Sequence, residues 1–213
     1  VFTNVSAQAG LTDTLGVDNA VLLDYDRDGY LDLYVGELGR GEAPDTTSHN
    51  RLLRNGGDGT FAEVTTAAGL AAPLHPDALV GTDDGMAAAD FNGDGWPDLY
   101  VSVPVDGSHL FLNDGQGRFV DASTAVVGPG GPASDVCVGD VDNDGDLDIF
   151  QASGNVWLEG HRSLLLLNQG NGQFADGTTA ARLPDSLQAL TARMADLSVS
   201  QIKGGLRRPP WRS

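Results

Sequence analysis

Short apolar runs recur along this chain, each closed by a cluster of Asp, Asn and Gly: "NAVLL", "LYVG", "RLL", "GMAAA", "LYVSV", "HLFL", "DVCVG", "IFQAS" and "SLLLL". Runs this short, bounded by turn residues, predict β-strands and leave no room for a long amphipathic helix. Their order also repeats. A strand leads through an acidic loop to a second strand, then an apolar run leads through a Gly-rich turn to a short mixed strand. That order predicts four-stranded antiparallel units, each made of two hairpins, and so an all-β fold of β-propeller-type blades.

The acidic loops set the repeat boundaries. They begin at Asp24, Asp90 and Asp140, which places full repeats at about 17–70, 79–127 and 133–183. The opening "FTNVSAQAGL" matches "FAEVTTAAGL" at 61–70 without a gap, so residues 1–11 are expected to be the outer strand of a partial blade. "ALTARMADL" at 189–197 reads as a truncated fourth repeat with Asp196 in the first loop position. Beyond it, 198–213 lacks Asp and carries Lys203, Arg207, Arg208 and Arg212, a divergent basic tail. The expected architecture is thus a repeat region over 1–197, about three full blades plus partial ones.

The loops themselves carry the chemistry. "DYDRDGYLDL", "DFNGDGWPDL" and "DVDNDGDLDI" share the pattern D-x-[DN]-x-D-G-x-x-D-[LI]. Positions 1, 3, 5 and 9 hold Asp24, Asp26, Asp28 and Asp32, then Asp90, Asn92, Asp94 and Asp98, then Asp140, Asp142, Asp144 and Asp148. Two carboxylates about 4 Å apart repel by about 4 kcal/mol at the effective dielectric of a protein surface. Asp, Asn and Gly do favour turns for local reasons. A turn, however, has no evident use for an acid at position 9, nor for the same register three times, so a bound cation is expected.

Oxygen-only ligands on a flexible loop suit Ca²⁺ better than Mg²⁺, which demands a stricter octahedron. About three Ca²⁺ per chain are expected, with a main-chain carbonyl at position 7 (Tyr30, Trp96 or Asp146) completing each set and Gly29, Gly95 and Gly145 allowing the bend. Zinc would need His or Cys, and His49, His75, His109 and His161 show no paired spacing. An EF-hand would place Glu at position 12 between helices; here position 12 is Val35, Val101 or Gln151 and the flanks are strands.

A second motif, N-x-G-x-G-x-F, alternates with the first as "NGGDGTF" at 55–61, "NDGQGRF" at 113–119 and "NQGNGQF" at 168–174. Its glycines predict a tight hairpin. Together the tandem Asp loops, "ADFNGDGWPDLYV" and these hairpins resemble the FG-GAP/VCBS repeat family, which includes integrin α-type propellers. The nearer likeness is to the cartilage acidic protein group and its bacterial relatives. The resemblance implies a propeller with Ca²⁺ in its blade hairpins, found outside the cell or at its surface.

Composition narrows the function. The formal net charge is −18, with 26 Asp against 4 Glu, so the excess acid sits in loops and nucleic acid is an unsuitable partner. The single Cys137 lies in an apolar run, which rules out an intrachain disulfide. No stretch reaches transmembrane length, so no membrane insertion is expected, and since the chain opens at Val1 without a charged-then-apolar leader, any signal peptide is expected to have been removed or to lie outside this sequence. "NVS" at 4–6 is a glycosylation sequon, and no "RGD" occurs.

No G-x-S-x-G or phosphate loop is present, the single Cys137 lies in a core-like strand, and the acids are largely committed to the loops, so no enzyme is expected. The expected function is an extracellular calcium-binding structural or adhesive module, with a protein or glycan partner at the cell surface or matrix. Trp157, Trp211 and the 36–50 loop are candidate contact points, with Trp157 read rather as a core residue. Open sheet edges could also pair copies into a homo-oligomer, a ring or a filament. The alternative is a calcium-stabilised glycoside- or polysaccharide-active domain that uses paired acids.

Overall fold

The computed structural model describes residues 2–11, 17–37, 50–70, 85–103, 107–126, 133, 135–153 and 163–183. Twelve strands run through them in three four-stranded antiparallel sheets, each a meander whose neighbours in space are neighbours in sequence. The first sheet holds β1 (Val17–Leu23), β2 (Asp32–Glu37), β3 (Arg51–Asn55) and β4 (Phe61–Glu63). The second holds β5 (Met86–Ala89), β6 (Asp98–Val103), β7 (Gly107–Asn113) and β8 (Phe119–Asp121). The third holds β9 (Asp135–Gly139), β10 (Asp148–Ala152), β11 (Leu164–Asn168) and β12 (Phe174–Asp176). Among the described residues the one helical element is a 3₁₀ turn at Ser123–Ala125.

In every sheet the acidic loop joins the first strand to the second, and the N-x-G-x-G-x-F segment joins the third to the fourth. Pairing of Leu23 with Asp32, Ala89 with Asp98 and Gly139 with Asp148 closes each acidic hairpin on its position-9 residue. That acid is therefore the first residue of a buried strand as well as the last of a loop.

The sheets stack because alternate residues of the central strands are apolar on both sides. Leu99 and Tyr100 are adjacent, so they point to opposite faces, and both are fully buried. Leu99 joins Leu23, Tyr25, Tyr34, Leu52 and Phe111 between the first and second sheets. Tyr100 joins Phe91, Leu110, Ile149, Leu166 and Phe174 between the second and third. Each such side chain contributes about 1.5–3 kcal/mol by leaving water. The first strands adjoin in series, β1 against β5 and β5 against β9.

The second interface also carries a polar link. Tyr100 Oη lies 2.6 Å from Ser108 Oγ and 2.8 Å from Gln151 Oε1, while Gln151 Nε2 donates to Ser102 Oγ at 3.2 Å. Burial pushes the Tyr100 phenol well above its ordinary range, so it stays a neutral donor.

The outer strand expected at 1–11 meets no strand partner among the described residues: 2–5 belong to no strand, and 6–10 form a turn. The likeness between 2–11 and 61–70 is nevertheless structural. Leu11 N–H donates to Ser6 O just as Leu70 N–H donates to Thr65 O and Leu183 N–H to Thr178 O. The turn's role is to seat the next hairpin: Phe61 N–H donates to Ala9 O, and Phe119 N–H to Ala68 O. The expected fourth repeat with Asp196, the basic tail, His49, His75, His161, Trp157, Trp211 and most of the 36–50 loop lie outside the described residues.

Candidate metal centres

Each acidic loop is first a set of side chains that tie down their own backbone. At position 1, Asp24 accepts from Gly29 N–H, Asp90 from the N–H groups of Gly93, Asp94 and Gly95, and Asp140 from those of Asp144 and Gly145. At position 3, Asp26 accepts from Asp28 N–H and Asn92 from Asp94 N–H. At position 5, Asp28, Asp94 and Asp144 accept from the N–H of Tyr30, Trp96 and Asp146. These bonds curl each loop around its own side chains. Position 4 takes the left-handed conformation in all three loops, as Arg27, Gly93 and Asn143.

The acid at position 9 has a use that needs no ion, which corrects the sequence argument that a turn could not employ it. Asp32, Asp98 and Asp148 are fully buried. One carboxylate oxygen of each accepts from the position-2 N–H of its own loop: Tyr25, Phe91 or Val141, at 3.1, 2.9 and 2.8 Å. The other accepts from the N–H of the Asn that opens the second motif: Asn55, Asn113 or Asn168, at 2.8, 2.8 and 2.9 Å. The two sequence motifs are thus bonded into one structural unit. Burial pushes Asp98 and Asp148 up to about 6 and raises Asp32 in the same sense, against the lowering effect of those N–H groups.

That Asn also reaches the neighbouring repeat. Asn113 Nδ2 donates to Tyr25 O in the first loop at 2.8 Å, and Asn168 Nδ2 donates to Phe91 O in the second, again at 2.8 Å. Position 7 meets the second motif from its own sheet. Tyr30, Trp96 and Asp146 lie so close over Gly57, Gly115 and Gly170 that a Cβ there would stand 2.6, 2.9 and 2.9 Å from them. Neighbouring loops touch as well, with the Arg27 guanidinium 4.5 Å from the Trp96 ring centroid.

The loops differ in what converges. In the first, oxygens of Asp24, Asp26 and Asp28 lie within 4.8 Å of one another. In the third, those of Asp140, Asp142 and Asp148 do so. In the second, Asn92 Nδ2 donates to Asp94 Oδ2 at 2.9 Å, and no carboxylate trio forms among the described residues. Asp32 and Asp144 stand outside the two trios. His109 sits in β7 stacked on Phe111 and belongs to neither trio.

Both trios could hold a metal ion. Asp24 Oδ1 is buried with no hydrogen-bond partner, a costly state for a charged oxygen that a cation would relieve. The donor set is all oxygen, which fits a hard divalent ion and offers zinc neither nitrogen nor sulfur. One resident cation went unforeseen in the sequence. Arg54, from β3, places Nε 2.5 Å from Asp26 Oδ2 and Nη2 2.7 Å from Asp28 Oδ2.

Comparison with known proteins bears on the same segments. Residues 24–101 and 90–150 match the model of the FG-GAP-like repeat. Cartilage acidic protein 1 of Xenopus tropicalis is 29% identical over 185 residues, 83% of this chain and 25% of that protein. The protein of the same name from Homo sapiens is 37% identical over 105 residues, 47% of this chain and 15% of that protein. The chain thus spans a quarter or less of the length of these curated relatives. No helix among the described residues is long and apolar enough to cross a membrane.

Proposed function

Because this chain belongs to the FG-GAP-like repeat family, we propose that it is a calcium-stabilised repeat module of the β-propeller type that works outside the cell by binding rather than by catalysis. In this reading the repeats run over about 17–70, 79–127 and 133–183, and each holds one Ca²⁺. The ligands are Asp24, Asp26, Asp28 and Asp32; Asp90, Asn92, Asp94 and Asp98; and Asp140, Asp142, Asp144 and Asp148. Carbonyls of Tyr30, Trp96 and Asp146 complete the sets. The observation that carries the proposal is the buried, unpartnered Asp24 Oδ1 within a converging carboxylate trio. The ion would supply charge neutralisation and loop rigidity, and the chain's own part is to present a firm surface to a protein or glycan of the cell surface or matrix.

Self-association follows from the same stack. Val21 and Leu23 face the second sheet, so Leu22 points the other way and is 57% exposed. The equivalent residues Ala88 and Val138 pack against the preceding sheet. A further repeat, from this chain or a second copy, would cover Leu22 in the same manner and extend the stack toward a ring or filament.

Thermal unfolding after chelation, with Ca²⁺ or Mg²⁺ added back, tests the reading. A site filled at about a hundred times its Kd adds about 2.7 kcal/mol, which is about 5–10 °C for a domain of this size. The expected result is a rise of at least that much with Ca²⁺ and a smaller one with Mg²⁺. Equal melting with and without Ca²⁺ overturns the proposal.

A further inference from the structure

From the fork of Arg54 over Asp26 and Asp28 we infer that this arginine is a built-in competitor for the cation at the first loop. It makes that loop a responsive site, weaker than the third, whose leucine at the same place offers no such competitor. The inference rests on the calcium reading above and adds an order of filling to it.

The position is set by the fold. Arg54 immediately precedes Asn55 in β3, where strand register and the Asn55 bonds to Asp32 and Leu31 O fix it beside the loop. The corresponding residues of the other sheets are Leu112 and Leu167, each directly before the equivalent Asn. Leucine has no donor, and Leu112 packs instead into the apolar layer between the second and third sheets. Arg54 side-chain exposure is 42%, so the guanidinium can swing into solvent without disturbing the core.

Competition follows from counting oxygens. In the first loop Asp26 Oδ1 and Asp28 Oδ1 accept backbone N–H groups, and their Oδ2 atoms face Arg54. Asp24 Oδ1 alone among these oxygens is buried and unpartnered. A divalent ion must therefore share Asp26 and Asp28 with a cation already present, or displace it. Affinity in such loops rises with the number of charged ligands. The third loop, with Asp140, Asp142, Asp144, Asp146 and Asp148 and leucine at the Arg54 position, has the most negative set. The first loop is thereby a two-state element, latched by arginine when calcium is scarce and released to the ion when it is plentiful.

Calorimetric titration of Ca²⁺ into the chelator-stripped chain tests this. Wild type is expected to show a tight step and weaker ones, and Asp28→Asn should abolish a weaker one. Arg54→Leu should tighten that site by about tenfold or more, equivalent to about 1.4 kcal/mol, while lowering the melting temperature in chelator. Arg54→Lys keeps the charge and loses the fork, so it should tighten the site less; it also serves should the leucine variant fail to fold. An unchanged Kd, in both Arg54 variants, for the step that Asp28→Asn removes, or loss of the tightest step in Asp28→Asn, overturns the inference and leaves the calcium reading standing. A wild-type chain that takes up no Ca²⁺ overturns both.

Discussion

Asp98 and Asp148 sit where two demands on one carboxylate oppose each other. Both are fully buried, both accept a pair of backbone N–H groups, and burial pushes both up to about 6. Without metal, the folded state then holds these protons more tightly than the unfolded chain, whose aspartates titrate near 3.9. Between about pH 4 and 6 the native state binds more protons, so stability rises as pH falls through that window. Asp121, lowered by its bonds to Ser123 against the cost of its burial, acts in the opposite sense but only below the ordinary aspartate range. The chelated protein should therefore melt higher at pH 5 than at pH 7. With Ca²⁺ bound, the same protons compete with the ion, and the slope should reverse; melting curves at both pH values, with and without Ca²⁺, check the pair of signs. The candidate site was only partly legible at this scale. Positions 1, 3 and 5 announce themselves by spacing. The structural duty of position 9 does not, because the N–H groups it accepts come from an apolar residue and from an Asn in a separate motif. Arg54 carried no signal until strand register gave it the place that Leu112 and Leu167 hold in the other sheets.

At the scale of the element, the two motifs and the turn after each fourth strand form one interlocking piece. Gly69 shows the constraint. Its φ is +82°, and a Cβ would stand 2.9 Å from Phe119 O, the backbone of the next hairpin. Gly59, with φ +86°, has nothing within 4 Å. A left-handed alanine costs about 1–2 kcal/mol at either position. Only at Gly69 does a further 1–3 kcal/mol of overpacking add to it. Gly59→Ala should thus lower stability by about 1–2 kcal/mol and Gly69→Ala by about 2–5 kcal/mol, measured as the shift in urea midpoint at constant slope. Strand positions were readable because apolar runs and turn residues alternate so regularly. The turn at 6–10 was not. Sequence likeness to 61–70 correctly paired the two segments, but a strand assignment for the first presumes a neighbouring strand, and residues 2–5 have none among those described.

At the scale of the molecule, three sheets contact their neighbours in series, and stability in such a stack is a sum of repeat and interface terms. The interfaces are knit at the loop end by Asn113 to Tyr25 O, Asn168 to Phe91 O and Arg27 over Trp96. The stack therefore packs its acid loops side by side on a chain of net charge −18. Composition alone gave that charge, and repeat spacing gave the stacked sheets, whereas the alignment of the loops needed the inter-repeat bonds. Repulsion between loops acts over a longer range than repulsion within one, so the two respond differently to salt. Raising ionic strength from about 0.01 to 0.15 M shortens the screening length from about 30 to 8 Å, enough to mute neighbouring loops and too little to separate carboxylates about 4 Å apart. The chelated chain should accordingly gain melting temperature with NaCl yet stay below the calcium-loaded chain at every concentration. The loaded chain, its loops neutralised from within, should respond less. A flat salt response in chelator would mean that charge between repeats does not limit the stack, and the stabilising role of the ions would then rest on the geometry of single loops.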